Sequence, residues 1–463
     1  MALRLFFSKM FLYRTLFIFL GTGILSLFSC CNNLVEEPVL SIEMHTGYTF
    51  QLTASSNVQW HSSDPSVATV SSTGLVTAIK AGKVTISTHS PKGGQKIVCY
   101  LEVLPRRNIL FYIATDTDDG IDGDTLEKIK MIRAGWEPER GEMLIYADRY
   151  KSGATLLRIN NTLTGDVYGL DTLERYGVEN SADADIFKRF ITQTTSDYPA
   201  DSYGLIFFSH ASGWLPEGMF SNPRSLVIDK GDGTRHEMEY TDFAAAIPDK
   251  KFDFIILEAC LMADVMSMYE LRNKADYILA SSAEIVSPGF EPVYKNEIIG
   301  LFNTKKPVEE VVSDFGKAYY NYVETYYAGQ GAYYSMTLSL IKMSEMQNLA
   351  TTTKTALKGK PIDQSTVQVN TIQRFDRPNG LNRYFDMGHV MQNLLLSEYE
   401  IFNEQLKKTV VWKANTKNFF MGAGGSNGYV INHHSGLTTY VEQSMYPNLN
   451  AAYKNSSWYK AVY

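Results

Sequence analysis

Tyr203-Gly204-Leu205-Ile206-Phe207-Phe208-Ser209-His210-Ala211-Ser212-Gly213-Trp214 and Phe252-Asp253-Phe254-Ile255-Ile256-Leu257-Glu258-Ala259-Cys260-Leu261-Met262 share one layout. In each, a short run of apolar, β-prone residues leads straight into a reactive side chain. Runs this short and this apolar read as strands buried on both faces, the texture of a parallel sheet. If they are parallel neighbours, His210 and Cys260 emerge together at the carboxyl edge, where open α/β sheets place their ligands. A thiol and an imidazole delivered side by side are the parts of a nucleophile and its acid–base partner.

The pattern continues outward. Further apolar strand candidates lie at 109–115, 143–147 and 277–281, with helical stretches between strands. In 183–194, Ile186, Phe187, Phe190 and Ile191 share one helical face; in 264–274, Val265, Met268, Tyr269 and Leu271 do. Strand–helix alternation predicts a mostly parallel sheet covered on both sides, an α/β class.

The first hundred residues differ. Arg4, Lys9 and Arg14 precede an apolar stretch at 16–28 that is short for a membrane span, as in an export signal. Leu27-Phe28-Ser29-Cys30 resembles the lipobox of bacterial lipoproteins, which would make Cys30 the acylated first residue after a signal at 1–29. Cys31 is the other register, and an ordinary secretory signal the other reading. Residues 30–37 read as a tether. The expected location is the cell envelope, lipid-anchored and outside the cytoplasm.

Residues 38–104 read as all-β, with strands expected at 48–53, 67–71, 83–88 and 97–103 between turn clusters. Apart from Cys30 and Cys31 only Cys99 and Cys260 occur, so no disulfide framework is expected and core burial must hold the chain. Cys99 reads as a small core residue. The net charge of −7, unpatterned along 463 residues, argues against a nucleic-acid partner.

Trp60-His61-Ser62-Ser63-Asp64-Pro65-Ser66-Val67-Ala68-Thr69-Val70, then Gly74-Leu75-Val76-Thr77-Ala78 and Ala81-Gly82-Lys83-Val84-Thr85-Ile86, resemble a bacterial immunoglobulin-like domain of the invasin/intimin type. After the hinge Pro105-Arg106-Arg107-Asn108, His210 to Trp214 and Ala259-Cys260-Leu261-Met262 resemble the catalytic motifs of clostripain-type cysteine peptidases, in the caspase-like clan. Ser335-Met336-Thr337-Leu338-Ser339-Leu340-Ile341 and Ser435-Gly436-Leu437-Thr438-Thr439-Tyr440 extend the similarity toward the carboxyl end. The resemblance implies a caspase-like α/β/α sandwich, with a core at 109–300 and the rest of the peptidase unit at 301–463. It implies Cys260 as nucleophile, His210 as acid–base group, and the Ala211 backbone N–H as an oxyanion donor. It also implies protein or peptide substrates with Arg or Lys at P1, no cofactor required for the chemistry, a possible need for calcium, and self-cleavage between the two motifs.

Two positions depart from that family. Ala211 stands where members carry glycine, and alanine resists a positive φ. Glu258 replaces an aspartate expected to line the S1 pocket; it keeps the charge and reaches one methylene further. Glu291, in the rigid turn Ser287-Pro288-Gly289-Phe290-Glu291-Pro292, is a second candidate S1 carboxylate, and Trp214 a candidate substrate contact. Asp116-Thr117-Asp118-Asp119-Gly120-Ile121-Asp122-Gly123-Asp124 is rich in carboxylates, so Asp116, Asp118 and Asp119 are candidate calcium ligands, although the spacing is not that of an EF-hand. His433 and His434 read as surface residues. The rival function is a surface-binding lipoprotein that kept the fold and lost turnover. A hydrolase built on Ser209 or Ser212 lacks the Gly-x-Ser-x-Gly elbow.

Overall fold

The computed structural model describes residues 39–54, 58–89, 97–117, 120–216, 227–327, 335–377, 382–394, 396–420 and 428–463. Cys30, Asp118 and Asp119 lie outside them, as do the signal and tether. The chain divides into two compact units, Met1–Arg106 and Arg107–Tyr463.

The first unit contains Val39–His45 (β1), Thr49–Gln51 (β2), Gln59–Ser62 (β3), Ala68–Val70 (β4), Leu75–Ala78 (β5), Gly82–His89 (β6) and Val98–Leu104 (β7). They form a four-stranded sheet, β1-β7-β6-β3, and a three-stranded one, β2-β5-β4. Inward residues alternate along β7, where Cys99, Leu101 and Val103 are buried beside the half-buried or exposed Val98, Tyr100 and Glu102. With Ala68, Val76, Val84 and Ile86 they fill the core, so Cys99 is a packing residue. Gly74 turns the chain at φ 88°, and a Cβ there would lie 2.3 Å from the Leu52 carbonyl oxygen.

The second unit is built on one nine-stranded sheet. Its parallel centre comprises Arg107–Thr115 (β8), Met143–Arg149 (β9), Ser202–Phe208 (β12), Phe252–Glu258 (β15) and Ala275–Ala280 (β16), in the order β9-β8-β12-β15-β16. Beyond β9 an antiparallel hairpin, Ala154–Thr164 (β10) and Val167–Gly177 (β11), closes one side. Beyond β16 come Thr337–Lys342 (β17) and Val410–Asn415 (β19), also antiparallel. Smaller pairs join Val227–Asp229 (β13) to His236–Met238 (β14), and Phe385–Asp386 (β18) to Thr438–Thr439. The parallel reading therefore holds for the five expected strands, and antiparallel strands flank them.

Strand alternation sends side chains into two cores. Tyr112, Phe207, Ile255 and Leu257 face one, covered by the helices Ala184–Asp197, Tyr240–Ala246 and Val265–Glu270. Phe111, Ile206, Phe254 and Ile256 face the other, covered by Asp122–Ala134, Glu291–Glu297 and Val308–Tyr327. This is a three-layer α/β/α arrangement. The two expected helices start on capping aspartates: Asp183 accepts from Asp185 N–H at 2.8 Å and Asp264 from Ser267 N–H at 2.9 Å.

Candidate active site

The register of the central strands positions the site. β12 and β15 are neighbours with Phe208 opposite Glu258, so His210 and Cys260 stand two residues past one cross-strand pair. Both leave the sheet at its carboxyl edge. The Ile285 N–H points at the Cys260 sulfur, N···Sγ 3.3 Å, and Cys260 is only partly buried. The sulfur also lies 3.9 Å from Ile285 O, so both peptide groups of Ile285 meet the side chain whose thiolate would be the nucleophile.

The turn after the nucleophile is strained and pinned. Leu261 adopts φ 63°, a left-handed conformation that costs a branched residue ~1–3 kcal/mol. Leu261 N–H bonds Ala283 O at 2.9 Å, Ala263 N–H bonds Ser281 O at 2.9 Å, and Ala263 O accepts from Thr438 N–H at 2.8 Å. Those bonds offset the strain and fix the thiol against the Ser281–Ile285 loop.

The histidine loop packs on this turn. Gly213 has φ 57°, and a Cβ there would sit 2.6 Å from Leu261 O and 2.8 Å from Asp264 Oδ2. The glycine of His-x-x-Gly thus lets one catalytic loop rest on the other. Ala211 is buried and takes no positive φ, so alanine fits this backbone without strain. The Tyr384 hydroxyl bonds the Ser212 carbonyl, holding the same loop from the carboxyl-terminal part of the chain. Buried Asp264, its carboxyl pushed up to about 7 by burial against its capping hydrogen bonds, anchors the far end of the nucleophile loop.

Two expected substrate contacts, Glu258 and Trp214, need correction. Glu258 is fully buried on the opposite face of the sheet, and its oxygens are spent. Oε1 accepts from Lys128 Nζ at 2.7 Å and Phe290 N–H at 2.6 Å; Oε2 accepts from Tyr294 hydroxyl at 2.6 Å. Lys128, equally buried, also donates to Pro288 O at 2.5 Å and lies 4.3 Å above the Phe208 ring. Glu258 is therefore a structural ion-pair partner closed to a substrate side chain. Trp214 is 1% exposed and packs on Tyr440 and Tyr453, ring centroids 5.1 and 6.0 Å away. It is a core residue; indole is too large to leave in water when an aromatic pocket is available. Glu291 opens the helix Glu291–Glu297, half-buried, with Lys128, Glu127 and Asp124 as electrostatic neighbours; burial raises its carboxyl. Its surroundings are those of the Lys128–Glu258 pair.

Of the candidate calcium ligands, only Asp116 is described. It meets two carboxylates that the loop reading missed, Asp148 of β9 and Asp229 of β13, in one buried cluster. Burial and then the charge of Asp229 push Asp116 up to about 6 and Asp148 up to about 9. Asp148 falls one residue beyond the expected strand 143–147, at the same sheet edge, which was the available signal. The expectation for His434 is also corrected: its Nδ1 is shielded from water, and Ser282 Oγ lies 3.3 Å from Nε2. His433, in contrast, is exposed and stacks on His389 at 3.7 Å.

With this geometry in view, comparison with known proteins is direct. Residues 112–457 match the clostripain family and residues 42–100 the bacterial Ig-like domain, group 2. The chain is 25% identical over 216 residues to clostripain of Hathewaya histolytica, spanning 40% of the length of each protein. A secreted C11 cysteine protease from Bacteroides thetaiotaomicron, solved with an irreversible peptide inhibitor, matches 77% of this chain and 99% of its own, at 29% identity and TM-score 0.65. An inactive zymogen C11 protease from Parabacteroides distasonis matches 78% and 99%, at 28% identity and TM-score 0.64. The chain belongs to the clostripain family of C11 cysteine peptidases, with a bacterial Ig-like domain on its amino-terminal side.

Proposed function

We propose that this protein is an extracytoplasmic cysteine endopeptidase acting through Cys260 and His210. The observation that supports the reading is the β12–β15 register, in which residues 210 and 260 each follow one cross-strand pair, Phe208–Glu258, by two positions. The Cys260 thiolate attacks the scissile carbonyl carbon, and the oxyanion is held by the N–H groups of Cys260 and Ala211. His210, carrying the thiol proton, gives it to the leaving amine as the C–N bond breaks. Water, deprotonated by His210, then cleaves the thioester and frees the thiol.

Arg or Lys is the proposed P1 residue. With Glu258 closed, the carboxylate proposed to meet it is Glu284, next to the Ile285 N–H that touches the thiol. Glu284 already accepts from Arg377 Nε at 2.8 Å and from a second guanidinium nitrogen, the two-pronged geometry a P1 arginine would use. Attachment through lipid on Cys30 is proposed from the lipobox resemblance. Among the described residues no helix is long and apolar enough to cross a membrane. An intact pair of reactive side chains on a pinned loop argues against a purely adhesive role.

The test is hydrolysis of fluorogenic Arg, Lys and Ala amides by the wild type and Cys260→Ala. Cleavage that the substitution abolishes, with Arg and Lys preferred and lost selectively in Glu284→Gln, supports the proposal. Iodoacetamide should label Cys260 before Cys99, which is fully buried and whose thiol burial pushes up to about 11. Full activity after alkylation of Cys260 would remove the thiol mechanism, and equal rates on Ala would remove the basic P1.

A further inference from the structure

We propose that the cavity walled by residues 370–376 and 429–433 is a second substrate subsite, one that takes an acidic side chain of the peptide being cleaved. It encloses about 310 Å³, within the ~300–1,000 Å³ usual for ligand pockets. Asn370, Thr371, Val430, Asn432 and His433 on its walls are exposed, so its mouth opens to solvent. Such a subsite presupposes the peptidase reading given above, with Cys260 as nucleophile and Glu284 at the P1 cation.

Charge decides what the cavity accepts. Arg374, His389 and His433 line it and can each carry positive charge. Asp376 is the one acid among the described lining residues, and its carboxylate is engaged. Its Oδ2 accepts from Arg383 N–H at 2.7 Å and Tyr384 N–H at 2.9 Å, and its Oδ1 from Arg383 Nε at 2.9 Å. Arg374 is half-buried, and among the described residues no carboxylate pairs with its guanidinium. Its carbonyl, by contrast, accepts from Gln373 Nε2 at 2.9 Å. The adjoining stretches 378–381 and 421–427 contain no Asp or Glu. A partly desolvated guanidinium is matched best by a carboxylate in two-pronged geometry, which a substrate side chain would supply. His389 adds a donor. Its Nδ1 accepts from Gln373 N–H at 3.0 Å, which leaves the neutral ring's proton on Nε2. His433 stacks on that ring, with centroids 3.7 Å and planes 19° apart. With Nδ1 engaged and Nε2 protonated, His389 has no lone pair for a metal, so the pair suits an anion rather than a cation.

Both walls lead to the loop that touches the nucleophile. The 370–376 wall runs into Arg377, whose Nε donates to Glu284 at 2.8 Å. The 429–433 wall runs into His434, whose Nε2 lies 3.3 Å from Ser282 Oγ. Gln373 fastens one wall to the other, its Oε1 accepting from Asn432 N–H at 2.8 Å. Ile285, next to Glu284, holds its N–H toward the Cys260 sulfur at 3.3 Å. A peptide with its basic residue on Glu284 would lie beside the cavity, and an extended chain presents a new side chain every ~3.3 Å.

The test uses the full chain carrying Cys260→Ala, so binding is read without turnover, and fluorescein-labelled peptides containing a single Arg. Asp or Asn is placed at one position at a time on either side of that Arg, and affinity is read by anisotropy. At one position Asp should bind at least ~10-fold tighter than Asn, the worth of a charge-assisted contact. That ratio should fall to ~1 in Arg374→Gln, and Arg374→Glu should favour Lys over Asp at the same position. Each ratio is taken within one preparation, and melting curves show that each variant folds. His433→Gln, at an exposed site, is the further variant and should lower the ratio. Equal affinity for Asp and Asn at every position overturns the subsite, as does an Asp preference that survives both Arg374 substitutions. Glutarate that binds Cys260→Ala while the peptides show no preference would mean a site for a free carboxylate, and overturns it too. Cleavage by the wild type of a blocked Arg amide, with no other residue, tests the peptidase reading separately. Its failure, with the Asp preference intact in Cys260→Ala, would remove the turnover and leave the acidic subsite standing.

Discussion

At the scale of single residues, the same side chain can read as functional or structural until its partner is known. Glu258 stands two positions before the nucleophile, and sequence gave it an S1 role. Its partner, Lys128, sits on the helix Asp122–Ala134, where Thr125, Lys128, Ile129 and Ile132 make the inward stripe. A lysine in that stripe hides the amphipathic period and looks solvent-facing, so the ion pair was invisible. Truncating one member of a buried pair strands the other charge and typically costs 3–5 kcal/mol. Glu258→Gln should therefore lower unfolding free energy by ~3 kcal/mol or more in urea melts. Any activity lost should be lost alike for Arg and Ala substrates. A selective loss for Arg, with stability intact, would return Glu258 to the specificity pocket. Gly213 makes the opposite case, a motif residue whose reason is now geometric. Gly213→Ala must clear Leu261 O and Asp264 Oδ2, moving the nucleophile loop. A shift of ~1 Å at such a site can cost ~100-fold, so kcat/KM should fall by about that factor while circular dichroism stays native. A fully active Gly213→Ala would show that the two loops are not coupled.

At the scale of elements, legibility followed burial. All five central strands are apolar throughout because both faces are covered, and they stood out in the sequence. β10 and β11 did not: much of the hairpin is half-buried or exposed, so it carries no continuous apolar run. β19 is half-exposed and came with no periodic signal. In the first unit, short strands such as β5 were legible only through the family wording that contains them. His433 is exposed as a surface residue should be, but its neighbour His434, in the same irregular segment, is turned partly inward, which no sequence pattern signalled. His434 offers a pH test. Burial, with the Lys413 charge as the lesser cause, drives its pKa down to about 3 from an ordinary 6.5. The unfolded chain then binds a proton near pH 6.5 that the folded chain refuses until about pH 3. Stability from this group is full above pH 6.5 and is lost as pH falls toward 3, by about 1.4 kcal/mol per unit at most. Urea midpoints of the wild type should decline between pH 6.5 and 4 more steeply than those of His434→Gln. Parallel curves would mean that the ring takes up its proton without unfolding.

At the scale of the whole molecule, the connection between the catalytic strands joins chemistry to processing. Residues 217–251 carry Arg224, Lys230, Arg235, Lys250 and Lys251, and a peptidase that cuts after basic residues could cut itself there. The fold discriminates among them, because a scissile segment must enter an active site as an extended strand. Lys230 turns the β13–β14 hairpin, its N–H bonded to Asp116 O at 2.8 Å. Arg235 pairs with Glu237 at 2.5 Å. Lys250 N–H bonds Asn273 O at 2.7 Å, and Lys251 lies 4.3 Å over the Tyr203 ring before running into β15. Each of these would have to unpack from the body, at a cost that a cut after it must first overcome. The four described basic residues are tied down; Arg224 lies outside the described residues, and a cut after it would make Ser225 the expected new amino terminus. The fragments should remain associated, since β12 and β15 are adjacent strands of one buried sheet. Wild type and Cys260→Ala, purified together and compared on a denaturing gel with amino-terminal sequencing, decide it. Two fragments from the wild type alone, beginning at Ser225, are the expected result. A terminus following Lys250 or Lys251 would mean that the β15 entry opens in solution. An active wild type that stays intact would mean that this family member works as a single chain.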